Sequence, residues 1–168
     1  MKNDGNQFNK KIMRGEIKMS NVIDDAKWYI ESSQLGILAT TGKNNIPKLR
    51  VIRGFANDGI NLYFVTNKDT EKVENINENP NVTLFFQNEG QDFGSFTNLS
   101  VTGIAKVVKD KDEINKAVDA ISVRHPKLKK TADDNQLDIS GTLIYKIDAK
   151  SVKFLDREKS NEAEVVNL

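Results

Sequence analysis

The chain has 168 residues, of which 38% are apolar, enough for one sizeable core rather than two. Its 25 Lys and Arg nearly balance 24 Asp and Glu, which excludes the basic footprint of a nucleic-acid binder or a polybasic membrane-surface protein. The absence of cysteine excludes disulfides, thiolate nucleophiles and thiolate metal centres, and a single histidine, His125, excludes multi-histidine sites, so no metal site is expected. No run approaches the roughly 18 to 20 apolar residues of a membrane span, and residues 1–25 hold no apolar signal-peptide core. The expectation is a cytoplasmic protein that engages no membrane.

In chain order, residues 1–20 form a polar, lysine-rich extension in which Ile12, Met13 and Ile17 fit a short helix interrupted at Gly15. Residues 21–33 read as an amphipathic helix, with Val22, Ile23, Ala26, Tyr29 and Ile30 on one stripe and Asp24 and Asp25 at the positive end. Three extended runs follow, at 35–41, 46–55 and 60–66, separated by the turn sequences Gly42-Lys43-Asn44-Asn45 and Asn57-Asp58-Gly59. A three-stranded meander is the simplest pairing. Residues 69–77 look helical until Asn79-Pro80, and 82–87 form an apolar strand. After a polar loop at 88–94, residues 95–108 read as a long strand. Asp110 and Glu113 then open a capping-box-like helix with an apolar stripe of Ile114, Ala117, Val118 and Ile121, closed by His125-Pro126. Residues 131–140 look like a polar loop and 142–155 like one or two last strands. The tail at 157–168 has too few apolar residues to demand order. Six or seven strands joined largely by short turns, with three or four helices, predict an antiparallel sheet closed or nearly closed into a barrel, mainly β, with the helices outside. The main domain is expected at 21–156.

The chemistry concentrates between Arg50 and Pro80. A helix N-terminus presents unpaired N–H groups and partial positive charge, and is disposed toward anions before any side chain is added. Thr66 and Thr70 add hydroxyl donors, Lys72 a point charge, and Arg50 on a neighbouring strand a planar fork that suits phosphate oxygens. Together they describe a phosphate cradle. Taken singly, an Arg on a strand, a Lys in a first helical turn and a capping Thr are equally ordinary surface residues.

At these positions the sequence resembles the pyridoxamine 5'-phosphate oxidase-like, FMN-binding split β-barrel family, in particular its small general-stress and nitroimidazole-resistance members. The similar elements are the strand carrying Arg50, the aromatic-rich strand ending Val65-Thr66-Asn67, Thr70-Glu71-Lys72, the run from Val73 to Pro80, the strand at 82–86, and Val101-Thr102-Gly103-Ile104-Ala105. The resemblance implies a six- to seven-stranded antiparallel split barrel that binds FMN as a homodimer. Arg50 and Lys72 would hold the flavin phosphate with Thr70. The backbone of Val51, Ile52 and Arg53 would run along the isoalloxazine, Val65 and Thr66 would flank ring and ribityl chain, and Asn98 would offer a polar contact. It also implies a flavin oxidoreductase acting on a small molecule with an electron donor such as NAD(P)H; the alternative is a non-catalytic flavin- or heme-binding stress or storage protein. No catalytic side chain is assigned.

Two departures stand out. Glu71 occupies a place where the oxidase type often carries a basic residue, and a carboxylate there repels a phosphate dianion unless it points to solvent. Phe55 stands where the oxidase has a lysine for its substrate's phosphate, and the tail lacks the oxidase's closing Arg and His pattern. The expectation is a relative that is not the true oxidase, with Phe55 lining an apolar pocket for a less charged substrate. His125 is expected to cap its helix rather than ligate heme, and Phe85, Phe86, Phe93 and Phe96 to serve the core or a dimer contact.

Overall fold

The computed structural model describes residues 21–133 and 141–168; the expected extension at 1–20 lies outside them. The elements are α1 (Val22–Ser32), β1 (Gly36–Thr41), β2 (Pro47–Ile52), β3 (Phe55–Asp58), β4 (Asn61–Asn67), α2 (Glu71–Glu78), β5 (Asn81–Phe86), β6 (Thr97–Val107), α3 (Lys111–Ser122), α4 (Pro126–Asp133), β7 (Thr142–Asp156) and β8 (Glu164–Asn167). All strand pairs are antiparallel. They lie in the order β2-β1-β5-β6-β7-β4-β3, and β8 adds to β7. The sheet is a curled, split barrel with helices on its flanks, as the strand count and turn spacing predict.

The meander expected at the start does not form. The run at 46–55 breaks at Arg53-Gly54, so β2 pairs with β1 while β3 pairs with β4, at opposite ends of the strand order. Gly54 is the cause: a Cβ there would meet the Val65 side chain at 2.6 Å, and its carbonyl accepts from Val65 N–H. The β3–β4 hairpin turns through Gly59-Ile60, with Gly59 at φ +63°, the left-handed conformation that primed hairpin turns use. β7 is one strand of 15 residues, pairing with β4 through its first half and with β6 through most of its length. Its register against β6 slips at Thr102/Gly103, where an added Cβ would collide with the Asp148 carbonyl.

Two cores flank the sheet. The inner one gathers Leu38, Phe55, Leu62, Phe64, Leu84, Phe86, Leu99, Val101 and Ile147, closed by Ala26, Tyr29 and Ile30 of α1. The second packs Ala117, Val118 and Ile121 of α3 on Ala56, Tyr63 and Ile144. As predicted, Asp110 caps α3 by accepting from Glu113 N–H at 2.9 Å. The Glu113 carboxylate instead accepts from Tyr63 Oη (3.0 Å) and Lys146 Nζ (2.8 Å), and these donors hold it below the usual carboxylate range.

α4 occupies part of the segment read as a polar loop; Pro126 opens that helix, a first-turn position where its missing N–H costs nothing. Within the tail, β8 pairs with β7, contrary to the expectation that 157–168 lacks the means for order. No helix among the described residues is long and apolar enough to cross a membrane.

Candidate functional site

β2 inverts the usual arrangement of a sheet. Cross-strand register aligns Arg50 with Leu38 of β1, then with Leu84 and Val101, all on the inner face, whereas Val51 aligns with Ile37, Phe85 and Ser100 on the outer face. The inward face of this edge strand therefore carries Lys48 and Arg50, while Leu49 and Val51 point outward, 68% and 51% exposed. Charge inward and apolar outward breaks the binary pattern, and such breaks mark sites.

Arg50 is held on two sides. Its Nη1 donates to Thr40 Oγ1 at 2.7 Å and its Nη2 to Glu71 Oε2 at 2.9 Å, leaving the side chain 18% exposed. Thr40 is buried at the end of β1 and also accepts from Asn75 Nδ2 of α2 at 3.2 Å, so one hydroxyl fixes the arginine to the helix that follows β4. Gly42 makes that approach possible, since a Cβ there would lie 2.5 Å from Asn75 Oδ1. Lys72, in the first turn of α2, donates to Thr66 Oγ1 at 2.8 Å. Burial, and secondarily the charge of Arg50, push its pKa below the ordinary lysine value. Thr70 is the N-cap residue of α2, yet its hydroxyl donates to the Asn67 carbonyl at 3.1 Å and makes no cap bond. The first turn of α2 is therefore left uncapped beside two cations.

Arg50, Thr66 and Lys72 thus come together at the start of α2, where Thr70 is the N-cap residue. Ile52 is in the core, and Val65 faces the second core from β4. Arg53 is exposed at a cleft of about 850 Å³, lined also by Gln34, Gln87, Asn88, Arg124 and His125. Asn98 lies on the outer sheet face with Val51 and Phe85, opposite the face of Arg50, and no hydrogen bond or ion pair among the described residues joins it to the cradle. Phe55 corrects an expectation: rather than facing an open pocket, it is fully buried against Phe86 (5.3 Å between centroids), with the Arg124 guanidinium 4.6 Å above its ring. Its side chain alternates inward from β3, where the barrel interior claims it. Phe86 is likewise core, Phe85 partly buried, and Phe93 94% exposed at a loop tip. His125 closes α3 through its backbone N–H to Ile121 O at 3.0 Å, and its exposed ring borders the cleft.

Thr40, Lys48 and Asn75 were not singled out by the sequence. The available signal was Thr40 itself, a polar residue on the buried face of an otherwise apolar strand.

The fold and site define a split-barrel protein with a cationic, uncapped helix start at the edge of its sheet. Residues 23–156 match the sequence profile described as pyridoxamine 5'-phosphate oxidase, and the chain belongs to that family. General stress protein 26 of Bacillus subtilis (strain 168) is 35% identical over 78 residues, covering 46% of this chain and 54% of that protein. The pyridoxine/pyridoxamine 5'-phosphate oxidase of Christiangramia forsetii is 38% identical over 68 residues, covering 39% of this chain and 30% of the enzyme. The matches thus span about half or less of these curated relatives. A solved heme binding protein from Mycobacterium smegmatis shares the fold, with a TM-score of 0.72 and 15% identity over 88% of this chain and 58% of that one.

Proposed function

We propose that the protein is a cytoplasmic, homodimeric FMN-binding oxidoreductase of the split-barrel type, distinct from the true oxidase, that reduces a small substrate with electrons from a donor such as NAD(P)H. The observation that carries this is the pair Arg50 and Lys72: two cations, both substantially shielded, brought close enough that one lowers the pKa of the other. Glu71 offsets part of that charge from the Arg50 side, and a phosphate monoester would match the pair more fully.

The donor set fits FMN's phosphate. Arg50 offers a planar fork oriented by Thr40, Lys72 a point charge steadied by Thr66, and the uncapped start of α2 its N–H groups. Bound FMN would supply hydride and electron transfer. The chain's part is to anchor the phosphate, align the ring along β2, and keep the barrel interior dry behind Ile52 and Phe55. A second copy is supported by the outer face of β2, β1 and β5, where Leu49, Val51, Ile37 and Phe85 form an apolar surface rather than a solvated one.

The test is the absorbance spectrum of freshly purified protein, followed by chromatography of the released cofactor and stopped-flow reduction with NADH and NADPH. FMN at about one per subunit, reduced by a pyridine nucleotide, is expected. FAD, or protein that binds no flavin on reconstitution, overturns the proposal.

One observation favours the non-catalytic alternative of heme binding. The sole histidine borders the large cleft beside Arg53, an imidazole that could ligate iron near a cation that could meet a propionate. A Soret band on hemin titration that His125→Ala abolishes would support it.

A further inference from the structure

Glu71 is more than half exposed, yet its carboxylate turns toward β2. It is the first residue of α2, and its two oxygens engage the two cations of β2: Oε2 with Arg50 Nη2 at 2.9 Å and Oε1 with Lys48 Nζ at 3.5 Å. With Nη1 committed to Thr40, both terminal nitrogens of Arg50 are taken, one by a neutral hydroxyl that holds it and one by an anion. Among the described residues, Lys72 is the cation of the cradle whose ammonium meets a hydroxyl and no carboxylate. The carboxylate therefore sits where the outer oxygens of a phosphate would meet Arg50.

We propose that Glu71 is an internal anion that competes with the ligand phosphate for Arg50 and Lys48, and so sets how strongly this site distinguishes a phosphorylated flavin from an unphosphorylated one. This rests on the flavin-phosphate assignment above. Exchange is feasible because the Glu71 side chain is 56% exposed and can swing into water, whereas Arg50, at 18%, cannot readily remain without a counter-charge. One anion replaces the other. The uncapped N-terminus of α2 favours a negative charge at Glu71 even when it has turned outward. A phosphate entering the cradle must displace the carboxylate and then tolerate it nearby. A riboflavin, which brings no phosphate, need do neither. Glu71 thereby lowers affinity for FMN without lowering affinity for the bare isoalloxazine and ribityl chain.

The experiment compares wild type with E71Q, which keeps the shape and removes the charge, using FMN and riboflavin separately, with dissociation constants read from flavin fluorescence. Inorganic phosphate binding is measured in parallel by calorimetry, and thermal unfolding monitors the fold. FMN should bind E71Q about three- to tenfold more tightly, the range set by a partly exposed ion pair and a like-charge contact removed together. Riboflavin should change less than about twofold on the same scale. Flavin binding unchanged by E71Q, or a uniform gain for both flavins, removes Glu71 as a selector while leaving the flavin assignment standing. Weaker FMN binding overturns it in the other direction, making Glu71 a support that orients Arg50. If neither protein binds flavin, the flavin assignment fails; tighter inorganic phosphate binding by E71Q then retains the competition, and unchanged phosphate binding ends it.

Discussion

Thr40 shows how much of the site depends on one hydroxyl. It receives hydrogen bonds from Arg50 and from Asn75, both in places where water does not easily substitute. Replacing it by Val keeps the shape and strands two donors, so Thr40→Val should destabilise the protein by about 1–3 kcal/mol in chemical denaturation and weaken FMN binding about tenfold by releasing Arg50. Lys72 gives a prediction with a sign. Its pKa is lowered in the ligand-free protein, and a phosphate would raise it again, so binding takes up protons between the two values. FMN affinity should fall as pH rises through that window, beginning below the ordinary lysine value of about 10.4. By the same linkage the unfolded chain binds more protons there, so the ligand-free protein gains stability as pH rises through it. Titrations across neutral and alkaline pH should show this slope in wild type and lose it in Lys72→Met, which should also bind FMN at least about tenfold more weakly. Arg50, Thr66 and Lys72 were legible in the sequence because charge and hydroxyl types announce themselves near a helix start. Thr40 was not, since only the three-dimensional register reveals that the residue across the strand pair from Lys48 is the one Arg50 can reach.

At the scale of elements, Arg124 joins two helices that are distant in sequence. Its guanidinium donates to the carbonyls of Ile30 (3.0 Å), Glu31 (2.6 Å) and Ser33 (2.6 Å), taking the place of a C-terminal cap for α1, and it covers the Phe55 ring. α1 has no basic residue of its own in its last turn. Arg124→Ala should therefore loosen α1 against the barrel, costing about 2–3 kcal/mol and accelerating amide exchange in α1 more than in β5 or β6. Arg124→Lys should recover only part of this, because an ammonium cannot span three carbonyls. Most elements were readable from period and turn chemistry. The exceptions share a cause, which is that a residue with two structural uses was read for the more common one. Gly54 lay within an apolar run and passed as strand, yet it is the hinge between β2 and β3. Pro126 was read as a stop, yet it also starts α4. In the tail, Val165 and Val166 suffice for a strand because β7 already presents an open edge.

For the whole molecule, the proposed assembly rests on the outer face of β2. Charges placed there, as in the double variant Leu49→Asp with Val51→Asp, should leave the inner core intact and convert the proposed dimer to a monomer of 18.9 kDa in sedimentation, with loss of bound flavin. A wild-type flavin-loaded monomer would instead remove the dimer from the proposal. The strand order has a further consequence, for biosynthesis. Without β7 the sheet falls into two pieces, β2-β1-β5-β6 and β4-β3, and the cradle is divided between them: Arg50 and Thr40 belong to the first, Thr66 to the second. Side-chain packing, such as α2 on β1 and Phe55 on Phe86, would then connect them without a shared strand ladder. A nascent chain therefore has every cradle residue outside the ribosome after Lys72 emerges, but lacks the strand that joins the two pieces until Thr142–Asp156 has followed. Ribosome-bound chains arrested before Thr142 should bind no FMN, and chains in which Thr142–Asp156 has cleared the ribosome should. Cofactor uptake would then be timed by the last long strand to be translated.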